Sequence, residues 1–125
     1  MVRHVCVFAS FALFFAATTA AGSVRAEAAK ENYRLYCVQC HGMQGNGGGI
    51  NNTHGGLAVS PRDHTNAAEM AKLSDEALRL AIAEGGDAVQ KSELMPSWKY
   101  TLSEQEIIEL VVYLRELCAC QENKD

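Results

Sequence analysis

Basic charge is scarce in this chain, strand-like patterning is missing, and the cysteines lack the partners that would make a zinc site. Of 125 residues, 11 are Lys or Arg against 15 Asp or Glu, a balance that argues against nucleic acid and anionic membrane as partners. No run alternates apolar and polar residues in a sustained way, which leaves an all-α domain. The length, with 48% hydrophobic residues, suits one small domain and leaves no room for two. A zinc site built on Cys37 and Cys40 would need a second ligand pair, and Cys118-Ala119-Cys120 is poorly spaced for one. The glycine-rich run after His41 lacks the preceding strand and following helix that a phosphate cradle requires.

What is present begins with a leader. Arg3 and His4 form a short basic start, and Val5 to Gly22 is almost wholly apolar or small. Val24-Arg25-Ala26 then offers small residues at the two positions that matter for cleavage, so residues 1–26 are expected to be a signal peptide cut after Ala26. A cut near Ala20 or Ala21 is the alternative site. An uncleaved anchor is the competing reading, since the apolar run is close to the lower limit of about 18 residues for a span. Cys6 lies inside this segment without the context of a lipidated cysteine and receives no role. Residues 27–125 form the expected mature domain, with no membrane span. Removing Arg3 and Arg25 leaves nine basic and fifteen acidic residues, a net −6. An acidic surface of this kind suits a protein partner with a basic docking patch.

The stretch that organises the domain is Cys37-Val38-Gln39-Cys40-His41. Two thiols three positions apart, followed at once by an imidazole, read as a c-type haem attachment site. Positions three apart share a helix face, so each thiol can bond one vinyl group along a single haem edge. His41 is then placed to be the proximal iron ligand. Export disfavours the cytosolic alternatives, a zinc half-site or a redox dithiol.

Along the chain, Ala29, Tyr33 and Tyr36 recur at helical spacing, predicting a short helix from Ala28 to Tyr36. Gly42 to Gly56 holds seven glycines in fifteen residues, a loop expected to fold closely around a large flat ligand. Ser60 to Thr65 is irregular; Pro61 has a free carbonyl, and Arg62 is either a partner for a haem propionate or a solvated surface residue. Ser74 caps a middle helix that ends at Gly85, with Leu73, Ala77, Leu78, Ala81 and Ile82 on its buried face. Ser103 to Glu106 is a capping box, with Leu102 stapling onto Ile107. The final helix carries a broad stripe from Ile107 to Leu117 and places Arg115 near its negative end. Its expected partner is the helix of Ala29 and Tyr33.

A six-coordinate haem needs a second axial ligand. The candidates are His54, His64, Met43, Met70 and Met95. Met43 is too near His41 in sequence, and Met70 suits a core role. Met95 sits in a loop stiffened by Pro96, beside the apolar wall of Trp98, and a soft thioether there favours reduced iron. Met95 is the preferred ligand and His64 the runner-up.

Together, Ala29-x3-Tyr33-x3-Cys37-x2-Cys40-His41-Gly42, Met95-Pro96-x-Trp98 and the aliphatic C-terminal helix resemble the class I c-type cytochromes. The resemblance spans about residues 28–118. It implies a cytochrome c-like fold: three main helices, the first and last crossing, around one covalently attached haem c. It implies Cys37 and Cys40 as thioether sites, His41 and Met95 as axial ligands, and a pocket including Pro61, Arg62 and Trp98. It also implies a loop proline carbonyl, here Pro61, as acceptor for the His41 ring N–H. Cys118 and Cys120 fall outside the pattern. Bonding to each other would require the helix to end there; an intermolecular bridge or burial as small apolar residues are the alternatives.

The expected function is a periplasmic one-electron carrier between respiratory-chain proteins, with no catalysis of its own. An electron-transfer subunit of a larger oxidoreductase is the first alternative. A haem enzyme or gas sensor with a displaceable distal ligand is the second.

Overall fold

The computed structural model describes residues 20–52 and 57–123. The expected leader up to residue 19, Cys6 with it, and His54 lie outside the described residues. Five α-helices follow in order: α1 Ala20–Tyr36, α2 Val38–His41, α3 Ala67–Met70, α4 Asp75–Glu84 and α5 Glu104–Cys118, with a 3-10 turn at Asp87–Val89 before the Met95 loop. Among the described residues there is no strand, and no helix is long and apolar enough to cross a membrane.

The caps follow local chemistry. The Ser74 side chain accepts from the Ala77 N–H, and α4 stops at Gly85, whose φ of 91° suits a residue without Cβ. Ser103 and Glu106 form the full reciprocal capping box of α5. α1 starts well before the expected Ala28, because Ala-rich residues with Arg and Glu continue the helix by propensity alone. Its first buried residue is Ala29, so packing against the core begins only there.

α1 and α5 form the most extensive helix pair. Tyr33, Met70, Ile107 and Leu110 are the largest fully buried side chains, and Leu102, Val111, Leu114 and Cys118 join them in one cluster. Met70 is therefore core, as its sequence context suggests. Leu73, Ala77 and Ala81, expected on the buried face of α4, are only half-buried because they line a cavity, Leu73 also packing against the core.

Arg115 does more than complement a helix end. It is 6% exposed, and its guanidinium donates to the Met70 carbonyl at 2.9 Å, the Leu73 carbonyl at 2.6 Å and the Asp75 carboxylate at 2.8 Å. One planar fork thus satisfies the carbonyls leaving α3 and ties them to the start of α4. Beside it α5 ends: Ala119 takes the left-handed conformation, and Cys118 and Cys120 are disulfide-bonded with Cα atoms 5.1 Å apart. The pairing is intramolecular, and the helix stops where that pairing needs it to. The tail then turns back, with Asn123 N–H donating to the Ala71 carbonyl and Glu122 accepting from the Asp75 N–H.

Replacing Arg115 by Met would leave the Leu73 carbonyl without its donor and the Met70 carbonyl with only the Leu73 N–H, at a cost of about 2–4 kcal/mol. Chemical denaturation should show a lower midpoint for Arg115→Met and little change for Arg79→Met, whose partners Glu76 and Glu104 are on the surface. Equal effects of the two would contradict the clamp.

Candidate functional site

A cavity of about 640 Å³ lies between α4, α5 and the loops on either side, within the range of small-molecule and cofactor sites. Leu73, Leu78 and Ile82 wall it from the α4 side, Leu110 and Leu114 from α5, and Leu57, Val59 and Pro61 from the loop before α3. Cys37, Cys40, His41, Arg62, Met95 and Trp98 also line it. The seven preferred haem-site residues, Cys37, Cys40, His41, Pro61, Arg62, Met95 and Trp98, therefore meet at one cavity, whereas the ligand candidates Met43 and Met70 do not line it.

Cys37 stands between α1 and α2 as the N-cap of the latter, and Cys40 and His41 lie on α2, a single turn. Both cysteines are free thiols. Burial, then the neighbouring Cys40, pushes the Cys37 thiol up to about 12. This is the opposite of the depressed value of a reactive redox dithiol. Among the described residues no three His, Cys, Asp or Glu side chains cluster to hold a metal ion.

His41 Nδ1 lies 3.0 Å from the carbonyl of Arg62. A carbonyl can only accept, so Nδ1 carries the proton and Nε2 keeps its lone pair. Burial lowers the His41 pKa, which keeps the ring neutral. The acceptor is one residue beyond the expected Pro61. The Pro61 carbonyl faces Gly47 instead, where an added Cβ would sit 2.7 Å from it. The Arg62 side chain lines the cavity, and its main chain does the positioning.

The glycine-rich loop also departs from expectation. Its described part, residues 42–52, lines none of the cavity. It folds behind α2 and satisfies that helix's last carbonyls: Asn51 N–H donates to Gln39, Gly49 N–H to Cys40 and Gly47 N–H to His41. Gly47 has φ 77°, and a Cβ on Gly49 would collide with the Gln39 and Cys40 carbonyls.

His64, the runner-up ligand, stacks on His41 with ring centroids 4.2 Å apart and planes 17° from parallel. Stacked this closely, the two imidazoles leave no space for a porphyrin between them, so His64 belongs to the His41 side. Its Nδ1 is 3.0 Å from the Tyr33 hydroxyl. Burial, with the His41 charge second, lowers the His64 pKa to about 3. Nothing in the spacing of residues 33, 41 and 64 announces this stack, which is made entirely by tertiary folding.

Met95 enters from a separate segment that is tied down at several points. Its carbonyl accepts from Gly86 N–H at 2.9 Å; Trp98 N–H donates to Ile82, Lys99 N–H to Ala83, and the Ser97 hydroxyl to Ala83 at 2.6 Å. A Cβ on Gly85 would lie 2.8 Å from the Met95 carbonyl, which explains the glycine pair better than helix termination alone. Trp98 meets Tyr36 at 5.1 Å between centroids.

Gly49→Ala would force α2 and its loop apart, costing about 1–3 kcal/mol by overpacking, whereas at Gly48 an added Cβ meets only the Asn46 side chain, 3.1 Å away. Thermal denaturation should separate the two: a clear drop for Gly49→Ala and a small one for Gly48→Ala. Equal melting temperatures would contradict the close approach.

The sequence profile of the family described as "Cytochrome C oxidase, cbb3-type, subunit III" matches residues 24–114. Among solved structures, the chain is similar to the KustC0563 c-type cytochrome, with 30% identity, a TM-score of 0.57, and coverage of 71% of this chain and 95% of that one. It is also similar to a chain of the Kuenenia stuttgartiensis reducing HAO-like protein complex Kustc0457/Kustc0458, at 27% identity and TM-score 0.59. That match covers 75% of this chain but only 44% of the other, so this chain spans less than half of that subunit. No curated protein matches. The chain is a c-type cytochrome, a haem electron-transfer protein belonging to the family described as cytochrome c oxidase, cbb3-type, subunit III.

Proposed function

We propose that this cytochrome is an exported one-electron carrier whose single haem is bonded to Cys37 and Cys40 and ligated by His41 and Met95. The residues fit such a group. The cavity is large and apolar-walled, two thiols lie on its rim, and a neutral imidazole offers only Nε2. A soft thioether stands on a loop of its own. The haem supplies, when bound, a one-electron change at its iron. His41 would be oriented by the Arg62 carbonyl, which also raises its basicity. Leu78, Ile82, Leu110 and Leu114 would keep water from the porphyrin faces, and Pro61, Arg62 and Trp98 would border it.

The observation that carries the reading is the pinned Met95 loop. Four hydrogen bonds join residues 95–99 to the end of α4 and to Gly86, so the segment that carries the thioether is fixed in place beside the cavity. With His41 and Met95 both holding the iron, the haem would have no open position for substrate, in keeping with carrying electrons. The leader-like N-terminus supports a periplasmic location, with donor and acceptor drawn from a respiratory chain.

A second reading, as an electron-transfer subunit of a larger oxidoreductase, is favoured by one finding: a similar chain belongs to a multi-subunit complex. Sedimentation of the native protein separates the two, a lone monomer supporting the carrier.

The ligand assignment is tested by the near-infrared methionine–iron band of the ferric protein. The wild type should be low-spin with this band present; Met95→Ala should lose it and show a lower midpoint potential. A wild type that is high-spin in both oxidation states would refute the ligation. The acidic surface adds a kinetic expectation: electron transfer to a basic redox partner should slow as salt rises, most steeply below about 0.15 M, where the Debye length exceeds roughly 8 Å. A rate independent of salt would argue against basic docking patches on the partner.

A further inference from the structure

We propose that His64, held by the Tyr33 hydroxyl, is a positioning residue that sets the plane of the His41 imidazole. The inference rests on His41 being the proximal ligand in the function proposed above. The His41 hydrogen bond to Arg62 acts at one edge of the ring. An edge contact alone leaves the ring free to rock about the line joining that bond to Nε2. What removes the freedom is contact on a face, and the His64 ring supplies it, near-parallel at 4.2 Å.

His64 is itself fixed from three directions. Its main-chain N–H donates to the Gly45 carbonyl, its ring Nδ1 meets the Tyr33 hydroxyl at 3.0 Å, and its ring stands edge-on to that of Tyr33. Among the described residues the hydroxyl has no other acceptor, so it donates and the proton of the neutral imidazole lies on Nε2. Tyr33 is 2% exposed and meets Tyr113 edge-on at 5.3 Å. Gly45, at φ 78°, leaves the room for this arrangement, because a Cβ there would lie 3.0 Å from Leu117 and 3.2 Å from the Tyr33 hydroxyl. The contacts run from α5 through Tyr33 and His64 to His41. The crossing of the terminal helices thereby determines the orientation of an iron ligand.

A histidine in this place could instead be filler. The two roles differ in what they do to the iron, because the plane of an axial imidazole orders the iron d orbitals and so sets the spread of the ferric haem-methyl resonances. His64→Leu fills the space without a flat face, His64→Phe keeps the flat face without the hydrogen bond, and Tyr33→Phe keeps the core without the hydroxyl. In the haem-loaded protein, His64→Leu should change the pattern of shifted haem-methyl resonances and lower the midpoint potential as water gains access to His41. His64→Phe should restore most of the pattern, and Tyr33→Phe should move it in the same direction as Leu but less. If all three variants keep the wild-type pattern and potential and differ only in melting temperature, His64 is filler and the proposal is overturned. Should His64→Leu fail to accumulate, Tyr33→Phe decides: a moved pattern supports the proposal and an unmoved one overturns it. The near-infrared band of the wild type reports on Met95 independently, so its absence would sink the proposed ligation without touching this inference.

Discussion

The hydrogen bond from His41 Nδ1 to the Arg62 carbonyl is the constraint on which the site depends. It joins residues 21 apart in sequence, so the chain between them must leave α2, satisfy that helix's orphan carbonyls and return within reach of the same imidazole. Glycine at positions 47 and 49 permits the return, one by its left-handed backbone and the other by standing against the Gln39 and Cys40 carbonyls. The long loop looks like an insertion but is the means by which one ring nitrogen finds a fixed acceptor. Without it the imidazole could present either nitrogen to a metal, and a single-turn helix would end in unsatisfied carbonyls.

A second piece of carbonyl bookkeeping occurs between α3 and α4. α3 is too short to be stable alone, and the Arg115 guanidinium takes up the Met70 and Leu73 carbonyls that follow it. The two solutions are chemically opposite. Behind α2, backbone amides of a glycine loop serve the carbonyls and bring no charge. Between α3 and α4 a buried cation does so, balanced by the half-exposed carboxylate of Asp75.

Much of this was legible in the sequence wherever the signal was local. Ser74, Ser103 and Glu106 cap their helices through atoms three residues away, and the Cys37–His41 pentad carries its own spacing. The crossing of α1 and α5 could be expected because each shows one apolar face and neither could bury it alone. What escaped has a common cause: the partner was a main-chain group or a ring far away in sequence. Any residue has a carbonyl, so nothing distinguishes Arg62 from Pro61 as the acceptor, and a proline that looks suited to the task faces Gly47 instead. Arg115 reads as a helix-end cation because its true partners are carbonyls 42 and 45 residues away. The start of α1 escaped for another reason, since alanine-rich chain continues a helix without needing anything to pack on.

The Met95 loop bears on whether the site works by staying closed. For an outside molecule to take the place of Met95 in the proposed ligation, residues 95–99 would have to leave the end of α4 and break the bonds to Gly86, Ile82 and Ala83. At a net value of about 1 kcal/mol for each of these four bonds, opening costs on the order of 4 kcal/mol and is populated roughly once in a thousand. On the other side the His41 ring is held at its edge by Arg62 and on its face by His64. A centre held this firmly changes its ligand geometry little when its charge changes, and a small structural response is what rapid one-electron transfer requires. A displaceable ligand would need the reverse, a loop whose bonds are few and easily broken. The rigidity seen on both sides therefore weighs against the gas-sensing and enzymatic alternatives even though their histidine, His64, is present.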